Sequence, residues 1–447
     1  MVRLNRRKML GAVAAFGTGA ACGTVFNPGS LGAEPREQQQ SKWDNEYTWG
    51  HTVLFMEEYH QGTMEILGRL SGELSHVGDL TSRAASVIKN GGTVWNSMNA
   101  GHMVGFEVSE KVRGNPKIMK DHKDFESLKK GDMVFTNTCS KAVKAARDRG
   151  VYTVSVTVNY VNNEFRPQGF TVPNEDNLML KDVSNEILHS HVPYYQGLVH
   201  APEIPEITLC PSTNTGLATL YWMLNAEIAN KLAEKSPKEI DKSAEYIRTV
   251  TERIGRVKEH MPRIRETAVT MARRIRAGGT WFVKSLEHPG ISSDLHYVEC
   301  GPMIINLGNW DAAKEKNVML IAAISPSYPD EIKLALEKQV EGAFVIGIGP
   351  SSLDGFLSPG RLIDVADAGF DNFSPESGGV ITIKGRKESI CPTSGVVGNV
   401  IQQMICAQWT DEMIRRGSVP YFFKGVCQVG GREYINVMKP NFDQRGY

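Results

Sequence analysis

The 447-residue chain lacks a net charge: 50 Lys and Arg balance 50 Asp and Glu, and no long basic run follows the first ten positions. A polyanion meets no attracting field, so nucleic acid is not an expected partner. The seven cysteines are scattered and odd in number, with no Cys-x-x-Cys pair, which excludes a disulfide framework. Eleven histidines form no His-x-x-x-His spacing, and a structural zinc site loses its usual signature. No Gly-x-Gly-x-x-Gly follows a strand-like run, which removes the phosphate-binding turn of dinucleotide redox enzymes. Neither a metal nor a cofactor is expected.

What is present begins at the N-terminus. Arg3, Arg6, Arg7 and Lys8 precede Met9 to Phe26, an uncharged stretch rich in Ala and Gly. This is the pattern of a targeting segment, and Arg6-Arg7 before Lys8-Met9-Leu10 resembles a twin-arginine signal. Residues 1–33 are expected to send a folded protein to the periplasm or outside the cell through the twin-arginine export machinery. The alternative is an uncleaved anchor formed by residues 9–26, which just reach the length of a spanning helix. Residues 34–46 read as a polar linker.

Beyond the linker the chain repeats itself. Gly91-Gly92-Thr93 returns 187 residues later as Gly278-Gly279-Thr280, and Met133-Val134-Phe135 returns after 186 as Met319-Leu320-Ile321. Cys210-Pro211-Ser212-Thr213 returns after 181 as Cys391-Pro392-Thr393-Ser394. Three landmarks in one order point to a duplicated unit, with copies at 47–235 and 236–447. In each copy the strand-like runs are apolar without alternation, as in Val151–Val158 and Val318–Ile324, which is how strands buried on both faces read. Helix-length segments lie between them, Lys141–Arg149 and Asp330–Glu341. The expected fold class is α/β, as two tandem three-layer αβα domains, each a parallel sheet flanked by helices.

Both Cys-Pro landmarks precede apolar residues spaced by three or four. These are Leu217, Leu220, Leu224 and Ile228 in one copy, and Val397, Ile401, Ile405 and Trp409 in the other. The hydroxyls of Ser212, Thr213, Thr393 and Ser394 therefore stand at helix starts, where free backbone N–H groups welcome a phosphate or a sugar hydroxyl; helix capping is the competing role. A second hydroxyl-rich turn follows the first strand of each βαβ unit: Thr136, Asn137, Thr138 and Ser140 in copy one, Ser325 and Ser327 in copy two. Ligands of open α/β sheets bind beyond such strand ends. A third turn brings His102 or His288 to the same rim, with Glu107 nearby, and either residue type can carry a proton.

These motifs in this order resemble the sugar isomerase (SIS) domain of phosphosugar-binding proteins. The residues that carry the likeness are Asn99-Ala100-Gly101-His102, Thr136-Asn137-Thr138-Cys139, Cys391-Pro392-Thr393-Ser394, and the tail around Val419-Pro420-Tyr421-Phe422. The resemblance implies two tandem sugar-binding domains with a small-molecule sugar derivative as ligand. It also implies an aldose–ketose isomerisation in which His102, His288 or Glu107 moves the proton, and a chain able to assemble with further copies. Cys139 and Pro326 stand where the family carries Gly, so a second reading stays open: a non-catalytic binding or scaffold protein whose second copy has become a structural partner.

Overall fold

The computed structural model describes residues 53–447 apart from 99–111, 123, 158–175, 194, 234–240, 286–300, 324–328, 352–359, 376–377 and 426–427. The chain divides into two units, Met1–Glu46 and Tyr47–Tyr447, and every described element belongs to the second.

Helices α1 (Phe55–Gly72) and α2 (Leu74–Lys89) open the first half. They lead into β1 (Val94–Ser97), β2 (Lys120–Asp121), β3 (Met133–Thr136), α3 (Lys141–Asp148), β4 (Tyr152–Val156), α4 (Leu180–Val183) and β5 (Glu186–Leu188). An antiparallel pair, β6 (Gly197–Val199) and β7 (Leu209–Pro211), then feeds the long helix α5 (Thr213–Ala233). The second half repeats this order with α6 (Lys242–Val257), α7 (Met261–Arg276), β8 (Trp281–Ser285), β9 (Ile305–Asn306), β10 (Val318–Ala322), α8 (Pro329–Val340), β11 (Phe344–Gly349), α9 (Leu362–Val365) and β12 (Ala368–Asp371). An antiparallel bridge between Ile381 and Ile390 replaces the β6–β7 pair, α10 (Ser394–Arg415) matches α5, and α11 (Gly431–Arg445) follows.

Each half builds a five-stranded parallel sheet, in the orders β2-β1-β3-β4-β5 and β9-β8-β10-β11-β12. The fold is α/β with two parallel sheets flanked by helices, as the unalternating apolar runs predict. Every residue of β10 is buried, and its side chains serve two layers. Val318, Leu320 and Ala322 join the large core that both halves share, while Met319 and Ile321 face an outer cluster with Ala335 of α8 and Leu362 of α9. In β3, Met133 and Phe135 join the shared core and Val134 meets Ala146 of α3 on the other face.

The duplicated landmarks are duplicated devices. At the end of α2, Gly91 takes φ 85°, its N–H bonds Ile88 O, and Gly92 N–H reaches back to Val87 O. At the end of α7, Gly278 takes φ 90°, its N–H bonds Ile275 O, and Gly279 N–H reaches back to Arg274 O. Both ends close with the Schellman pattern of hydrogen bonds, which needs a left-handed residue. The next residue is fixed the same way in each copy: Thr93 N–H bonds Asp132 Oδ1 at 2.9 Å, and Thr280 N–H bonds Asn317 Oδ1 at 2.9 Å.

The Cys-Pro landmark is a second such device. Cys210 and Cys391 have φ of 59° and 60°, a left-handed conformation that is costly for a residue with a Cβ. Each following proline carbonyl accepts a tyrosine hydroxyl from the half's leading helix, Tyr59 to Pro211 O at 3.1 Å and Tyr246 to Pro392 O at 2.9 Å. A glycine would adopt that φ freely, but both thiols are buried in the shared core, so the side chain contributes packing that glycine lacks.

The halves interlock through their helices. Within its own half α5 packs on α2, and α10 packs on α7; across the halves, α1 packs on α10 and α6 packs on α5. Helices α1, α5, α6 and α10 also touch one another pairwise, which places them between the sheets. This explains a departure from the amphipathic pattern. Residues Thr213 to Ala229 of α5 are buried on every side, as are Ser394 to Met413 of α10, rather than along one apolar face.

Candidate functional site

In the strand order found here, β2 is added on one side of β1 and β3 on the other, and the crevice beyond the ends of β1 and β3 is where open α/β sheets hold ligands. Thr136 closes β3 there, fully buried, with its hydroxyl 3.4 Å from Ser97 O at the end of β1. Asn137 follows: its Nδ2 donates to Met98 O at 2.8 Å, while its buried Oδ1 has no partner among the described residues. Thr138 N–H bonds the Thr136 hydroxyl at 3.0 Å, which shapes the turn. Ser140 accepts from Val143 N–H at 3.4 Å and so caps α3, the competing role for a hydroxyl at that position.

The rim continues over β4 and β5. Thr157 and Ser190 hold these strand ends together through Ser190 N–H to Thr157 Oγ1 at 2.8 Å and Ser190 Oγ to Thr157 O at 2.7 Å. Ser190 then meets the first turn of α5: a Cβ placed on Gly216 would lie 3.1 Å from Ser190 O and 2.6 Å from Val192 Cγ2. Gly216 is thus required for the helix start to seat against the sheet rim.

At that helix start lies a concentration of unmet polar groups. Ser212 is satisfied, its N–H and hydroxyl both bonding Gln196 O at 2.9 Å. Among the described residues, the hydroxyls of Thr213 and Thr215, both side-chain atoms of Asn214 and both side-chain atoms of Gln196 have no hydrogen-bond partner, and all four residues are at most 1% exposed. Each such group costs about 1–3 kcal/mol when left dry and unpaired, so four residues together make a strong demand for a polar occupant. Asn214 and Thr215 lie inside the motif that the sequence singles out, but nothing in residue spacing marks Gln196, which only the β6–β7 turn brings there.

The equivalent helix start in the second half is different. The Thr393 hydroxyl accepts from the Arg253 guanidinium of α6 and pairs with Ser374 Oγ at 3.1 Å. Burial lowers the Arg253 pKa, opposed by the nearby Tyr246 and Asp371. Ser394 is buried in the first turn of α10. The sequence-predicted residues His102, Glu107, His288, Ser325 and Ser327 lie outside the described residues. The structure therefore places Thr136, Asn137 and Thr138 at the end of β3 and Ser212 and Thr213 at the start of α5, with Thr393 and Ser394 at the matching helix start of the other half.

Two histidines and a carboxylate that sequence reasoning missed stand beside this rim: His189 and His191 after β5, and Glu73 between α1 and α2. A separate groove of about 350 Å3 lies between α1 and β6, lined by Glu58, Glu65, Tyr195 and His200, and holds none of the predicted residues. Among the described residues no group of three or more His, Cys, Asp or Glu side chains is placed to hold a metal ion, and no helix is long and apolar enough to cross a membrane.

No family model matches the chain. A UPF0309 protein of Shouchella clausii (strain KSM-K16) is 25% identical over 130 residues, which are 28% of this chain. The match spans about half, 53%, of that curated relative's length. Among solved structures, the C-terminal domain of glucosamine-fructose-6-phosphate aminotransferase from Francisella tularensis is 11% identical, covering 84% of this chain and 99% of its own with a TM-score of 0.46. Tagatose-6-phosphate ketose/aldose isomerase from Escherichia coli is 11% identical, covering 81% of this chain and 94% of its own with a TM-score of 0.45.

Proposed function

We propose that the first half of the chain binds a sugar derivative of the kind taken by sugar isomerase (SIS) domains, at the rim formed by the ends of β1 and β3 and the start of α5. The observation that carries this reading is the set of buried side chains Gln196, Thr213, Asn214 and Thr215, which have no hydrogen-bond partner among the described residues. Their amide and hydroxyl groups offer both donors and acceptors, which suits a ligand bearing several hydroxyls. The N-terminus of α5 adds free backbone N–H groups and a partial positive charge suited to an anionic substituent such as a phosphate. On such a ligand the activity would be an aldose–ketose interconversion, a proton moved between neighbouring carbons.

Thermal-shift titration of the mature chain with hexose phosphates, amino-sugar phosphates and free sugars tests the site. Stabilisation by at least one class is expected, and none by any class overturns the reading. A second reading is favoured at one place only: Arg253 and Ser374 already satisfy Thr393, so the second half acts as a structural partner rather than a second binding site. Calorimetry would then give one ligand per chain. Residues 1–33 are further proposed as an export signal, supported by Arg6-Arg7; periplasmic recovery should be lost when both are changed to Lys, and retention of export would refute it.

A further inference from the structure

The loop after β5 is tied into a run of titratable side chains. His191 has φ 56°, and its N–H bonds His189 Nδ1 at 2.9 Å, so a neutral His189 carries its proton on Nε2. The two rings lie 4.3 Å apart between centroids. From there the run continues outward. His191 Nε2 lies 2.8 Å from Glu73 Oε1, and Glu73 Oε2 lies 3.6 Å from His76 Nδ1. His76 Nε2 lies 3.0 Å from Glu186 Oε2, and the other Glu186 oxygen accepts the Tyr152 hydroxyl. Arg83 sits 4.1 Å over the Tyr152 ring.

Imidazole and carboxylate alternate along this run, and it starts at the loop whose Ser190 abuts the first turn of α5. Exposure rises along it, from 19% and 20% for the His191 and Glu73 side chains to 32% and 33% for His76 and Glu186. The end that starts beside Ser190 is therefore the less exposed of the two. Burial raises the Glu186 pKa, but hydrogen bonds from Tyr152 and His76 outweigh it and the net shift is downward. Burial, then Glu186, pushes Tyr152 up to about 12, so the phenol keeps its proton and the run ends there.

The fold does not require such a run. In the second half the corresponding place holds His260 stacked on Phe373, with centroids 5.2 Å apart, and Arg256 4.0 Å over the same ring. Phe373 shares the left-handed backbone of His191, at φ 55°. An aromatic stack thus holds the same junction without alternating acids and bases.

We propose that His191 is the proton-transfer group of the α5 site, with His189 as a positioning residue and Glu73, His76 and Glu186 as the positioning residues that pass the proton to solvent. This rests on the sugar-binding reading of that site. In the step, a neutral imidazole takes the proton from the carbon beside a sugar carbonyl, and the C–H electron pair moves to form an enediolate. Donors such as Asn214 Nδ2 stabilise the enediolate oxygen; that oxygen takes the proton of the neighbouring hydroxyl while the imidazolium returns its proton to the former carbonyl carbon, so the carbonyl moves to the adjacent carbon with the electron count unchanged.

The experiment follows loss of the C1 proton signals of fructose 6-phosphate and of the C2 proton signal of glucosamine 6-phosphate in D2O by NMR, with binding measured in parallel by thermal shift. The full chain is expected to exchange the proton. His189→Gln and His191→Gln should keep the ligand shift and lose about 100-fold or more in exchange rate. Glu73→Gln should lower kcat with little change in KM, and Glu73→Asp should recover part of the rate. His260→Gln should leave exchange unchanged. Ligand binding without exchange, or exchange that survives both histidine changes, overturns the proposal while leaving the binding reading intact. No ligand shift with any probe removes the binding reading itself.

Discussion

At the level of single residues, the α5 start makes an unusual forecast, because the side chains that serve a ligand are a burden without one. Asn214 is fully buried, and both its side-chain atoms are without a hydrogen-bond partner among the described residues. Asn214→Leu, close in shape and apolar, is expected to raise the stability of the ligand-free chain by about 1–2 kcal/mol and to abolish the ligand-induced shift. Denaturation of both variants with and without ligand reads the two effects separately, and a loss of apo stability would show that Asn214 is satisfied in solution. Cysteine gives a second forecast. Burial pushes the thiols of Cys210 and Cys391 well above their usual range, and the Cys406 thiol beside Cys210 adds to the first of these. Both stay protonated at pH 8, and both are at most 1% exposed. Peptide mass spectrometry should find them unmodified after alkylation of the native chain and modified after denaturation. Rapid native labelling would contradict their place in the core.

At the level of elements, the repeated glycine pairs separate two costs that sequence alone merges. The doubled Gly-Gly-Thr is legible as a helix end, but which glycine matters more is not, because the deciding atoms come from distant turns. A Cβ on Gly279 would lie 2.0 Å from Lys316 O, and one on Gly92 would lie 2.4 Å from Gly131 O. Gly278, at φ 90°, has no atom within 4 Å of such a Cβ. Gly278→Ala should therefore cost only the left-handed penalty, about 1–2 kcal/mol. Gly279→Ala adds a clash with backbone and should cost clearly more, about 3 kcal/mol or above, read as a larger fall in Tm. Equal losses would mean that the β9–β10 turn yields easily. Other elements show the same division of legibility. The apolar runs disclose β3, β4, β10 and β11, since burial on both faces removes alternation. The short edge strands β2 and β9 carry too few residues to leave a pattern. The hydroxyls at the α5 start could be read as a binding group or as caps, and only burial without partners separates the two. His189, His191 and Glu73 become neighbours through a left-handed turn and a helix junction that no periodicity marks.

At the level of the molecule, the sequence repeat suggests two domains in tandem, whereas the packing joins them. The leading helix α1 of the first half lies on α10 of the second, α6 of the second lies on α5 of the first, and one core cluster draws residues from both sheets. A half expressed alone would expose the apolar surface that its exchanged helices cover. Phe55, Ile66, Leu67 and Leu70 of α1 are each at most 4% exposed, as are Val400, Ile401, Met404 and Ile405 of α10. Each large apolar side chain returned to water forfeits about 1.5–3 kcal/mol, so even a few such residues approach the whole stability of a typical domain, about 5–15 kcal/mol. Fragments 47–235 and 236–447 are therefore expected to be insoluble or unfolded when produced separately. Produced together, they should associate into one particle with the circular dichroism and cooperative melting of the intact chain, because the break falls between α5 and α6 and leaves every described helix whole. Size-exclusion chromatography and thermal melting of each fragment and of the mixture make the comparison. A first fragment that melts cooperatively by itself as a monomer would show that the exchanged helices are an addition to two self-sufficient domains, and the second half would then be dispensable for the α5 site.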